Sequence, residues 1–227
     1  MNGHDAAAGS ARRVIRIFLA AEGILYLSFL FMDLTGRSDA TILPKYAGIL
    51  LCLIFSIYCA FRGGDRLVPA ALLLTALADS LLLVLDRYYA LGTGIFLGVQ
   101  ILYLLRIRRL TGRSLWPLRI LIPLAAAAVL YGLSLLTPLN LLAGLYFSQL
   151  LVNTIAAWGR KTRSVRCFAA GLTLFVCCDL CVAVRNAGAL FPLPLRGFAR
   201  VGMWLFYLPS QVLIALSAMP SRRADAA

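Results

Sequence analysis

The stretch PAALLLTALADSLLLVL, residues 69–85, decides the fold class: it is apolar and long enough for a membrane span, and one acid, Asp79, interrupts it. A second run, RCFAAGLTLFVCCDLCVAV at 166–184, carries Asp179 in the same way. Asp79 follows Arg66 by thirteen residues and Asp179 follows Arg166 by thirteen, so straight helices bring both carboxyls to one depth. An ionisable side chain inside a bilayer costs about 3 kcal/mol on insertion scales, and such groups are seldom kept without a task. These aspartates are the primary candidates for function.

Composition agrees with a membrane chain. Hydrophobic residues make up 62% of the 227, against roughly 45–50% in soluble domains, and mean hydropathy is +0.88. The net charge of +13 invites a nucleic-acid reading, but the basic residues fall in short gaps between apolar segments and form neither a face nor a tail. They read as topology signals, and nucleic acid is excluded as a partner.

The pattern predicts an all-α polytopic bundle of eight spans, at 13–33, 42–61, 67–86, 89–106, 117–136, 139–158, 167–185 and 200–219, each near the roughly 20 residues that cross a bilayer core. Sorted by alternate links, sixteen of the 22 Lys and Arg fall on one side, among them Arg106, Arg119 and Lys161. Six fall on the other: Arg37, Lys45, Arg87, Arg185, Arg196 and Arg200. The positive-inside rule then puts both termini in the cytoplasm, as an even span number requires. The transmembrane domain is expected over 13–219, between a disordered polar tail at 1–12 holding the single histidine, His4, and a cytoplasmic tail at 220–227. The first apolar run is too long for a signal-peptide core and is expected to stay as a helix. Short loops and the lack of a cleavable signal suit a bacterial inner membrane.

Cys52, Cys59, Cys167, Cys177, Cys178 and Cys181 all lie in or at the ends of spans and form no disulfide framework. Cys177 and Cys181 share a helix face, but with no histidine near they read as small packing residues, and no metal is expected. No nucleotide, flavin or dinucleotide motif appears, so no cofactor is expected; Gly63-Gly64 has no phosphate-binding context. Spans 3 and 7 each carry an acid and end in an arginine. Spans 4 and 8 each pair a tyrosine with a glutamine, as Gln100 and Tyr103 in GVQILY and as Tyr207 and Gln211 in YLPSQ. Either the halves are two parallel four-helix repeats, or apolar segments resemble one another by chance.

Other polar groups carry weaker signals. Glu22, deep in span 1, reads first as a protonated interhelical hydrogen-bonding group. Lys45 opens span 2 and either snorkels to the interface or turns inward to hold a phosphate. Asp86 and Arg87 read as a solvated turn at the outer boundary, where Arg185 also belongs. Gly94 and Gly98 form a small-xxx-small pair expected at a helix contact. Pro209 is expected to kink span 8 just before Gln211.

With these residues in view, the chain resembles the lysoplasmalogenase-like (YhhN-like) integral membrane proteins over most of its length. The marks are Ala78-Asp79-Ser80-Leu81-Leu82, Gly94 to Gly98 with Tyr103, Phe175 through Asp179, Tyr207 with Gln211, and Lys45. Two positions depart from the family pattern: Ala78 precedes Asp79 where glycine is common, and Gln100 stands where a histidine is common. Glutamine hydrogen-bonds but does not exchange a proton near neutral pH.

The resemblance implies hydrolysis of the vinyl ether of lysoplasmalogens, a lysophospholipid substrate drawn from the bilayer. Such a bond is cleaved by protonating its β carbon and capturing the oxocarbenium ion with water, which calls for a proton donor and a nearby negative charge. On this reading Asp79 and Asp179 share the catalytic roles, Gln100, Tyr103, Tyr207 and Gln211 orient water and ether oxygen, and Lys45 with Arg87 or Arg185 holds the phosphate. Two further readings stand beside it: a lysolipid-binding protein or proton-coupled transporter using the same acids, and purely structural aspartates.

Overall fold

In the computed structural model, residues 3–35, 38–160, 162–187 and 190–220 are described, leaving Arg37, Lys161, Arg222, Arg223 and the side chain of His4 outside. Eight helices follow one another, and no strand occurs among the described residues: α1 (Gly3–Leu34), α2 (Ile42–Phe61), α3 (Leu67–Asp79, continued by a π turn over Ser80–Val84), α4 (Tyr89–Thr111), α5 (Trp116–Gly132), α6 (Pro138–Ala157), α7 (Arg163–Asn186) and α8 (Leu193–Leu216). Seven are long and apolar enough to cross a membrane, and α5, at 17 residues, sits at the short end of the spanning range. The chain is a multi-pass integral membrane protein.

Several boundaries move from their expected places for local reasons. The helical description of α1 reaches back to Gly3, into the segment expected as a disordered tail. Helix α4 runs past 106 to Thr111, where Gly112 at φ +72 takes the left-handed conformation that ends helices. Helix α5 stops at Gly132, short of 136, because Thr137 is already extended and caps α6 by accepting from the Asn140 N–H. Helix α8 starts at Leu193, seven residues before 200, where a proline in the first turn favours initiation.

Two helices carry a proline inside, and each freed carbonyl is taken up by a neighbour. Pro209 cannot donate to the Leu205 carbonyl, which instead accepts from the Tyr26 hydroxyl of α1 at 3.3 Å. Pro123 likewise frees the Arg119 carbonyl, which accepts from Gln149 Nε2 of α6 at 3.2 Å. Both helices continue through the proline because nothing is left unpaired.

Helix adjacency repeats with a four-helix period. Helices α1 to α4 pack in succession, as do α5 to α8, and α4 lies on α6 as α8 lies on α2. An offset of 100 residues relates Asp79 to Asp179 and also Tyr46 to Tyr146, one helix earlier in each half. The α7–α8 contact is the most extensive, and small residues allow it: a Cβ on Gly171 would meet Ile214 and the Ser210 carbonyl, and one on Gly202 would meet Cys181 Sγ. Cys181 is thus a packing residue, as expected. The Gly94 and Gly98 pair is not: Gly94 faces open space, Gly98 meets only Leu74 at ordinary distance, and Gly92 makes the close approach, on Leu82.

The links assigned to the cytoplasm meet at one end. Asp65 donates its N–H to the Ala218 carbonyl, Arg160 reaches the Leu110 carbonyl, and Ser164 donates to the Ser217 carbonyl. Arg106 and Arg119, counted as topology cations, are in fact buried. Arg106 is 1% exposed, pairs with Asp65 at 2.7 Å, donates to Ser217 Oγ and to its carbonyl, and stacks on Phe168. A guanidinium this enclosed must have its charge paired and its donors used, so it ties α3, α4 and α8 together.

Candidate functional site

Asp79 ends the α-helical part of α3, and the π turn begins at the next residue. The π turn carries α3 on to its end at Val84. Ser80, the first residue of that turn, donates to the Ala76 carbonyl and is hydrogen-bonded to the Tyr46 hydroxyl at 2.7 Å. Asp79 is buried, and its Oδ2 accepts from the Tyr207 hydroxyl at 2.6 Å. A bond this short fixes the carboxyl rotamer.

Asp179 comes from α7 to the same place, and the two carboxyls lie within electrostatic range. The Tyr146 hydroxyl of α6 faces the Asp179 carboxyl, whose Oδ2 is buried without a hydrogen-bond partner among the described residues. The two acids, expected at equal depth, thus lie within electrostatic range of each other. Around them runs an aromatic wall. Phe96 contacts Tyr146 and Phe175, Phe175 contacts Tyr207, and Tyr207 contacts Trp204, with centroids 5.4 to 5.8 Å apart.

Toward the outer end, Trp204 continues to Phe29, and Lys45 Nζ lies 4.8 Å from the Trp204 ring centroid and 5.5 Å from that of Phe29. Lys45 points inward, is 5% exposed, donates to Thr41 Oγ1 at 2.9 Å and pairs with Asp33 at 2.7 Å. Arg185 is exposed and within electrostatic range of Lys45 and of Tyr89, which itself donates to Asp86 at 2.7 Å. Arg87 is exposed and lies over the Tyr88 ring in an outer turn with two left-handed residues, Asp86 and Tyr88. Lys45 and Arg185 thus share the rim above the acids, whereas Arg87 packs on its own turn.

The remaining predicted residues divide. Gln100 is held: its Oε1 and its carbonyl both accept from Asn153 Nδ2, while Asn153 Oδ1 accepts from Arg119. Tyr103 and Gln211 are buried with free polar ends. Glu22 accepts from Cys52 Sγ at 3.2 Å, which fits its reading as an interhelical hydrogen-bonding group. Among the described residues no three His, Cys, Asp or Glu gather as metal ligands.

Sequence reasoning missed Tyr146, Asp33 and Asn153. Tyr146 was visible as the counterpart of Tyr46 at the offset that relates the aspartates, and Asn153 as an amide four residues after Gln149 in an apolar span. Asp33 had no signal beyond its place at the outer end of the first span.

No curated protein and no solved structure matches the chain. Residues 40–218 match the YhhN family, a segment that holds both aspartates, Lys45 and seven of the eight helices, and leaves out α1 with Asp33 and Glu22. Since the match takes in most of the chain and the whole acid cluster, this protein belongs to the YhhN family.

Proposed function

We propose that this protein hydrolyses the vinyl ether bond of lysoplasmalogens, releasing a fatty aldehyde and a glycerophospho-base. The observation that carries the reading is the pairing of Asp79 and Asp179, brought from α3 and α7 into one buried, aromatic-walled site with Tyr207 fixed on Asp79. One carboxyl gives its proton to the β carbon of the vinyl ether, and the carbon attached to oxygen becomes an oxocarbenium ion. The other carboxylate stabilises that cation in a medium of low dielectric. Water adds to the cationic carbon and passes a proton to a carboxylate. The resulting hemiacetal gives up its hydroxyl proton to a carboxylate as its C–O bond to the glycerol breaks, and the departing glycerol oxygen takes a proton from a carboxyl. One water is consumed, and the acids end as they began.

Lys45 and Arg185 would hold the substrate phosphate at the rim. The acids lie thirteen residues from Arg66 and Arg166, roughly 20 Å along a helix, just past the midplane of a core about 30 Å thick. A lysolipid anchored at the outer rim places its first chain bond near that depth, which favours access from the non-cytoplasmic leaflet of a bacterial inner membrane.

The test is aldehyde release by the purified protein in detergent from a lysoplasmenyl phospholipid, beside the matching ester lysolipid. Release from the vinyl ether alone, lost in Asp79→Asn and in Asp179→Asn, is the expected result. Folded protein that binds lysolipid and releases no aldehyde would overturn the reading.

A further inference from the structure

Below the acid pair, one helical turn toward the cytoplasmic end, three helices present polar atoms that nothing in the protein satisfies. Thr75 precedes Asp79 by four residues on α3, and Gln211 follows Tyr207 by four on α8, which runs the opposite way. The Tyr207 to Asp79 bond sets the register of the two helices, so Gln211 comes level with Thr75. Tyr103 of α4 joins them, its hydroxyl within reach of the Thr75 hydroxyl. Thr75 Oγ1, Tyr103 Oη and both amide atoms of Gln211 are buried and lack partners among the described residues. Thr75 and Gln211 are 0% exposed and Tyr103 1%.

A buried hydroxyl or amide left unpaired costs about 1–3 kcal/mol, and in folded proteins such groups are almost always satisfied by protein or by ordered water. Here four buried polar atoms from three helices fall at one level, and their hydrogen-bonding capacity is not filled by the described residues. Bound water needs two to four such partners. Gln100 Nε2 and Ser210 Oγ are likewise buried without partners among the described residues, whereas Tyr207 donates to Asp79 and Gln100 Oε1 accepts from Asn153. Farther toward the cytoplasm the level is closed by Arg106 on Asp65 and Ser217.

We infer that Thr75, Tyr103 and Gln211 form a water-binding site that supplies the acid pair from the side opposite the lipid rim. Resting on the hydrolase reading, this water is the nucleophile: its oxygen adds to the oxocarbenium carbon and its proton passes to the Asp79 or Asp179 carboxylate. Substrate chain and water then approach the acids from different ends, so a long alkyl chain does not have to admit water along its own path.

Residue-resolved hydroxyl-radical footprinting of the full-length protein in detergent tests the site without reference to activity, because radiolysis of bound water labels buried side chains that touch it. Tyr103 is expected to label quickly, Phe168 at the same depth to stay unlabelled, and Thr75→Val to suppress the Tyr103 label while Thr75→Ser retains it. In the aldehyde assay Thr75→Val is expected to lower kcat by roughly tenfold to a hundredfold with KM unchanged, and Thr75→Ser to restore it. Tyr103 as unreactive as Phe168 would overturn the water site, even where the wild-type protein releases aldehyde. A labelled Tyr103 in a protein that releases none would leave the water site standing and remove the hydrolase reading.

Discussion

Tyr207 of α8 donates to Asp79 of α3 across 2.6 Å although 128 residues separate them in the chain. The bond holds the buried carboxyl at one rotamer. Tyr207→Phe keeps the ring contacts with Phe175 and Trp204 and deletes only the hydroxyl. A buried hydrogen bond contributes about 0.5–1.5 kcal/mol, so aldehyde release is expected to fall by roughly twofold to tenfold, with the melting temperature lowered and the fold retained. Turnover equal to wild type would show that Asp79 does not depend on this hydroxyl.

Lys45 is held by Asp33, an acid on the helix outside the family segment. If Lys45 binds the substrate phosphate, Asp33 competes for it. Lys45→Met is then expected to raise KM for the lysolipid with kcat nearly unchanged, and Asp33→Asn to lower KM by freeing the ammonium. Parallel rises in KM for both variants would mean that the pair acts as a structural tie.

Arg106 and Asp65 make the second tie. Asp65→Asn leaves a guanidinium that is 1% exposed without its counter-charge. Breaking a buried pair from one side costs about 3–5 kcal/mol, and because the Asp65 side chain is 25% exposed the expected loss here is below that range, about 2–3 kcal/mol. Thermal unfolding in detergent reads it, and a melting temperature unchanged from wild type would refute the tie.

Two glycines offer a matched comparison. Gly64 lies where a Cβ would run into the Ala218 and Cys59 carbonyls, backbone atoms that cannot yield cheaply, whereas Gly94 opens onto free space in mid-helix. Gly64→Ala is expected to destabilise by about 1–3 kcal/mol, and Gly94→Ala to stabilise by up to about 1 kcal/mol. The same unfolding measurement checks both, and the opposite signs would contradict the packing at the α8 end.

Much of the architecture was legible before any coordinates. Apolar run length gave the helices and the basic links their grouping at one end, because both depend on local composition. Boundaries shifted where a cap or proline acted, as at Thr137 and in the first turn of α8. The Gly94 and Gly98 motif was misplaced because spacing tells which residues share a face and not what that face meets.

The sequence by itself determined a multi-pass helical protein with Asp79 and Asp179 at one depth, since rise per residue and distance from an arginine are properties of single helices. Only the tertiary structure decided which groups surround those acids. Tyr207 bonds Asp79, Tyr146 faces Asp179, Asn153 holds Gln100 and Asp33 takes Lys45, each a contact between different helices. The rotation of one helix against another follows from packing of the whole bundle, and no segment of the chain carries that information alone.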